Sequence, residues 1–190
     1  MKFYEIPRIV PSNSIIWLEF KILLPSTFNP ISILYNKFLM RKYGKSFDDE
    51  ERYRFGEKLY FQQPQKNRER INTLFYNLLK DGYEVYIITS FDEKITSGFF
   101  DSLPAKIRLP KKNFHNSCSA EMKVEVVREL KKIRKTVIGL GASKEDEKAL
   151  EESDFGFMVN PFYLGKKFEN LKNLRNVNGM LHAIYFSQTF

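Results

Sequence analysis

A chain of 190 residues with 43% hydrophobic residues has the size of one domain and enough apolar side chains for a full core, so 1–190 reads as a single unit. Its single cysteine, Cys118, excludes an intramolecular disulfide framework and a cysteine-based zinc site, and no apolar run reaches the roughly 18 residues of a membrane span. The formal charge of +8 leaves anionic ligands, protein partners and nucleic acid open, although lysines that merely solvate helical faces account for it equally well.

The first residues, Met1 to Pro7, lack the apolar stretch of a secretory signal, so the expectation is a soluble, cytoplasmic protein with no membrane partner. Apolar residues from Ile15 to Leu24 predict a buried strand, interrupted on one face of the two-residue alternation by Glu19 and Lys21. Ile31 to Tyr43 has helical spacing and stops at Gly44. Ser46 with Asp49 makes a capping box for a second helix, Asp48 to about Tyr60. Together these two helices form a small helical insertion over 25–64.

Gln65 to Asp81 is again helical in spacing, capped by Gly82, and Tyr83 to Thr89 is a near-continuous apolar strand of the doubly covered, parallel kind. A helix near Asp92 to Ser102 leads to a strand around Lys106 to Leu109. Ser119 to Lys132 is helical, Thr136 to Gly139 a strand, Glu145 to Glu152 a helix and Phe155 to Val159 a strand. The tail from Phe168 to Phe186 reads as one or two packing helices. Regular alternation of this kind calls for an α/β fold with a mainly parallel sheet. In such a sheet ligands bind outside the carboxyl ends of the strands, where Glu19, Lys21, Thr89, Ser90 and a glycine turn at Gly139-Leu140-Gly141 converge. A dinucleotide fingerprint at that turn lacks its third glycine and comes late in the chain.

The order and spacing of these elements, from about Ile15 to Pro161, resemble the haloacid-dehalogenase-like phosphohydrolases. The resemblance implies a Rossmannoid three-layer fold, with 25–64 as a reduced cap of the phosphoserine-phosphatase type. It also implies site positions. That family's first strand ends in Asp-x-Asp-x-Thr; here Glu19 stands at the nucleophile, Lys21 at the acid-base residue and Leu23 at the threonine. Thr89 or Ser90 matches the hydroxyl that holds a phosphoryl oxygen, and Lys123 matches the lysine that neutralises its charge. The fourth motif, Gly-Asp-x-x-x-Asp, keeps Asp146 and has Ala142 at its first aspartate.

These departures have physical consequences. Glutamate places its carboxylate one methylene beyond the attack position, and a displacement of about 1 Å can cost about a hundredfold in rate. Lysine at position 21 cannot serve as a carboxylic acid without a large pKa shift. Glu19, Asp146, Lys21 and Lys123 balance in charge without a metal, whereas the family's site needs magnesium to approach balance. The expectation is therefore a decayed, inactive or very weak site with no cofactor, in a protein that binds or scaffolds. Two alternatives stand beside it: a residual phosphatase for a small phosphate ester, with Mg²⁺ on Glu19 and Asp146, and a basic nucleic-acid-associated module. In the first reading, Lys21 and Lys123 with Thr89 and Ser90 are expected to hold an anion weakly without metal.

Overall fold

The computed structural model describes residues 14–23, 48–133, 136–158 and 171–173. Its centre is a six-stranded sheet whose pairings are all parallel: β1 (Ser14–Leu18), β2 (Glu84–Ile88), β3 (Phe114–His115), β4 (Thr136–Gly141), β5 (Phe155–Met158) and β6 (Leu171–Asn173). The spatial order is β3-β2-β1-β4-β5-β6. This is the doubly wound, Rossmann-like order, whose direction of winding reverses between β1 and β4.

Strand alternation sends side chains to two cores. Ile16, Leu18, Val85, Ile87, Ile138, Leu140 and Phe157 face one side, where they meet Leu74, Phe75 and Leu78 of α2 (Gln65–Lys80) and Ile95 and Phe99 of α3 (Glu93–Asp101). Ile15, Trp17, Tyr86, Ile88, Val137 and Met158 face the other, against Val127 and Leu130 of α4 (Ala120–Ile133) and Ala149 and Leu150 of α5 (Glu147–Glu152). Helices thus cover both faces, and the strands are apolar on both sides because neither side meets water.

Local chemistry sets the helix ends. α1 (Asp49–Phe61) opens on a reciprocal box in which Asp48 Oδ1 accepts from Glu51 N–H at 2.8 Å and Glu51 Oε2 accepts from Asp48 N–H at 3.1 Å. Such a cap contributes about 1 kcal/mol. Asp48, not Ser46, is therefore the capping residue. α2 ends in a Schellman turn: Gly82 has φ +82°, Gly82 N–H bonds to Leu79 O at 3.2 Å and Tyr83 N–H to Leu78 O at 3.0 Å.

Four other expectations change. The first strand stops at Leu18, and Phe20–Leu23 turns into a 3-10 helix, with Ile22 N–H bonded to Glu19 O at 3.0 Å. Lys106 to Leu109 is not a strand: Pro104 and Pro110 each open a 3-10 turn, Ala105–Ile107 and Lys111–Asn113, and the ladder is joined only at β3. Proline has no N–H to give a sheet and fixes its own φ, which suits the start of such turns. Leu171–Asn173, expected as helix, pairs with β5 as a strand, and the rest of that tail lies outside the described residues. The helix expected from Ile31 to Tyr43 also lies outside them.

The fourth concerns the glycines. β4 runs through Gly141, so Gly139 and Gly141 are strand residues and not a turn. Their lack of a side chain serves close approach. A Cβ on Gly139 would sit 2.6 Å from the Trp17 indole nitrogen, which lies across from it in the ladder and donates to Ser153 Oγ at 2.8 Å. A Cβ on Gly141 would sit 2.6 Å from Asp146 Cβ. The turn itself is Ala142 to Asp146, with 3-10 geometry over Lys144–Asp146.

Candidate functional site

Glu19, Thr89 and Ala142 are each the first residue after a strand, β1, β2 and β4 in turn, so parallel pairing brings all three to one edge. The Glu19 N–H still bonds to Leu140 O at 2.9 Å, which holds its backbone against β4. Lys123 comes from the first turns of α4, and Asp146 from the turn that enters α5. The side chains of Glu19, Thr89, Lys123 and Asp146 are all fully buried.

They form one hydrogen-bonded unit. Thr89 Oγ1 donates to Glu19 Oε1 at 2.7 Å, and the Lys123 ammonium donates to Glu19 Oε2. The same ammonium donates to Asp146 Oδ1 at 2.6 Å. Asp146 Oδ2 accepts from Ala142 N–H at 2.9 Å, Ser143 N–H at 2.9 Å and Ser143 Oγ at 3.0 Å. Thr89 Oγ1 in turn accepts from Phe91 N–H at 3.2 Å. Each charge is thus opposed by a counter-charge and by donors, the condition under which ions persist in a dry interior.

The balance of forces shows in the titration behaviour. Burial disfavours the Lys123 cation, but Glu19 and Asp146 more than offset it and its pKa is raised. Burial likewise disfavours the Asp146 anion; attraction to Lys123 and the hydrogen bonds from Lys123, Ala142 and Ser143 overcome this and lower its pKa. Among the described side chains, two carboxylates thus share one ammonium.

Two other expectations about the site change. Ser90 is exposed, so the hydroxyl in the cluster is that of Thr89. Lys21 lies in the Phe20–Leu23 turn and not on the strand, which removes the expected alternation with Glu19. The expected anion pocket is changed as well: the Thr89 hydroxyl has one proton, given to Glu19, and two of the three Lys123 protons go to carboxylates. A magnesium ion fits this donor set poorly. Both Glu19 oxygens and both Asp146 oxygens already accept hydrogen bonds, Ala142 has no side-chain oxygen, and the described residues hold no group of three His, Cys, Asp or Glu able to bind a metal.

Sequence reasoning missed Cys118. It is buried two residues before α4, its N–H bonds to Thr89 O at 2.9 Å, and its thiol feels the site's charges. Burial pushes the thiol pKa up, Lys123 pulls it down and Glu19 raises it, with a net rise. A buried thiol with a raised pKa is disfavoured as a nucleophile. Its position just ahead of the helix that carries Lys123 is the only signal the sequence offered. His115, on the edge strand, stacks on Tyr86 at 6.0 Å between ring centroids, and burial lowers its pKa.

No protein-family model matches the chain, and no curated protein matches its sequence. Among the described residues no helix is long and apolar enough to cross a membrane.

Proposed function

We propose that the chain is a haloacid-dehalogenase-like domain whose catalytic site has decayed and which acts by binding or scaffolding. One observation carries this reading: the hydroxyl of Thr89 and the ammonium of Lys123, the groups that a phosphoryl oxygen would need, both donate to the chain's own Glu19. A carboxylate held by two donors in a dry site is a poor nucleophile, because attack requires giving up those bonds. Ala142 removes a metal ligand and position 21 has no carboxylic acid to protonate a leaving group. The parallel, doubly wound sheet and the placement of four expected residues at its carboxyl edge support the family reading. The test is hydrolysis of small phosphate esters by the purified chain with and without Mg²⁺. No metal-dependent turnover is expected; turnover that disappears in Glu19→Gln would establish the residual phosphatase instead.

A further inference from the structure

Cations are not spread evenly over this molecule. α2 carries Lys66, Arg68, Arg70 and Lys80 against one carboxylate, Glu69, and the two 3-10 turns after α3 carry Lys106, Arg108, Lys111 and Lys112 against none. Eight cations against one carboxylate leave +7 on these segments, close to the +8 of the whole chain, and counting the flanking Asp81 and Asp101 still leaves +5. The fold sets the segments side by side: the Ala105–Ile107 turn packs on α2, with the Lys106 ammonium 5.1 Å from the centroid of the Tyr76 ring. Helical spacing puts Lys66, Arg70, Tyr76 and Lys80 on the face away from the buried Ile71, Leu74, Phe75 and Leu78. All four are exposed, as are the four cations of the turns. Elsewhere on the surface, Arg52, Arg54, Lys94, Arg128, Lys131 and Lys132 each pair with a carboxylate. Among the described residues none of the eight cations here has such a partner, and Glu69 accepts instead from the Gln65 side-chain amide at 2.8 Å.

We propose that the outer face of α2, continued by the turns at 104–113, binds a single strand of nucleic acid, with the cations on its phosphates and Tyr76 under a base. Unpaired cations gathered on adjoining elements raise a local positive field that attracts a polyanion. Lys66 to Lys80 spans about 21 Å at 1.5 Å per residue, a length that faces several successive phosphates. Tyr76 narrows the partner further. Its ring is 44% exposed in the middle of the cations, and an aromatic ring beside basic groups is what stacks an unpaired base, whereas the bases of a duplex are already stacked on each other. A membrane surface fits less well, because the apolar side of α2 is spent on the core and leaves no apolar stripe to enter lipid. An acidic protein surface would use the cations and leave the ring without a role. The proposal goes beyond the decayed-site reading and involves none of Glu19, Thr89, Lys123 and Asp146, so either can fail alone.

The experiment is fluorescence anisotropy of a labelled oligothymidylate of about 20 nucleotides, titrated with the full chain over a range of sodium chloride. Unlabelled duplex DNA of the same length, polyglutamate and phosphatidylserine vesicles serve as competitors. The strand is expected to bind with an affinity that falls steeply with salt; about four phosphate contacts give a slope of about −3 in log K against log salt. Arg70→Glu, Lys80→Glu and Lys106→Glu together should weaken binding at least a hundredfold. Arg54→Glu, Lys132→Glu and Lys148→Glu change the net charge by the same amount on other exposed helix faces and should weaken it far less. Tyr76→Ala should cost about tenfold on the strand and leave the duplex unaffected. Equal losses from the two triple variants would show a response to net charge alone and overturn the proposal. So would a Tyr76→Ala variant that binds the strand as the parent does, or competition by polyglutamate, vesicles or duplex as strong as by unlabelled strand, which would point to an acidic protein, a membrane or double-stranded DNA in its place. Should the triple reversal fail to give the native circular dichroism, Arg70→Gln with Lys106→Gln replaces it, with a loss of about tenfold expected and no loss overturning the proposal.

Discussion

Two tight contacts hold this molecule together by opposite means. At the carboxyl edge, Glu19, Lys123 and Asp146 meet as buried charges, and their closeness depends on protonation state. Where α1 crosses α3 the closest approach depends on shape: a Cβ on Gly56 would lie 2.0 Å from Ile95 O, and one on Gly98 would lie 2.0 Å from Tyr53 O, while the polar contacts, Arg52 with Asp92, Lys94 with Asp49 and Tyr53 with Asp101, are partly or wholly exposed to solvent. Backbone touches backbone there. Around it Tyr60 and Phe99 pack edge to face at 5.5 Å, and Phe99 meets Phe20 at 4.8 Å, one residue from Glu19. Packing and electrostatics thus differ in their response to pH: the buried charges at the carboxyl edge respond to it, and the backbone approach at Gly56 and Gly98 does not.

The largest effect is expected at the charged contact. Lys123→Met leaves two carboxylates buried without a counter-ion and should cost about 3–5 kcal/mol of unfolding free energy in urea. Neutralising the whole unit, with Glu19→Gln, Lys123→Met and Asp146→Asn together, should cost less than Lys123→Met alone, because no charge is then stranded. If the single variant were as stable as the parent, the closed ion triad would be wrong.

A smaller effect is expected at the shape contact. Gly98→Ala forces the two helices apart and should cost about 1–3 kcal/mol, even though alanine favours a helix by about 1 kcal/mol over glycine. Thermal melts of Gly56→Ala and Gly98→Ala that matched the parent would show that the crossing is loose.

The pH dependence sharpens the difference. Asp146 has a lowered pKa in the fold, so its contribution is present above its unfolded value of about 3.9 and is lost as pH falls through the native value. Lys123 has a raised pKa, so its contribution is complete below about 10.4 and is lost as pH rises through the native value. Urea midpoints measured across the range should fall at both ends in the parent. Gly98→Ala should shift the whole curve down with the same shape, while Lys123→Met should lose the alkaline limb.

The sequence made the repeated layers visible because burial on both sides of a parallel sheet leaves long apolar runs, as in Tyr83 to Thr89, and because glycine and aspartate mark helix ends, as at Asp92 and Gly82. It misplaced Phe20–Leu23 because an apolar 3-10 turn buried among Phe91, Phe99 and Phe100 has the same composition as a buried strand. It misread Gly139 and Gly141 because glycine at a turn and glycine under a neighbouring side chain look alike until Trp17 and Asp146 are placed. The order of the elements placed Thr89 or Ser90 at the carboxyl edge, and Lys123 and Asp146 entered only through the family resemblance; in the fold Thr89, Lys123 and Asp146 are buried together with Glu19. That Glu19 would engage both Thr89 and Lys123 was not legible, since it depends on a distance across three elements.

The central claim is that the site is held shut by its own side chains. Its most direct test is a crystal soaked in Mg²⁺ and a phosphate mimic and read as a difference map at the carboxyl edge. The account predicts no density for metal or anion there, with the Glu19 carboxylate on Thr89 and Lys123. A metal ion bound by Glu19 and Asp146, with an anion on Thr89 and Lys123, would contradict it.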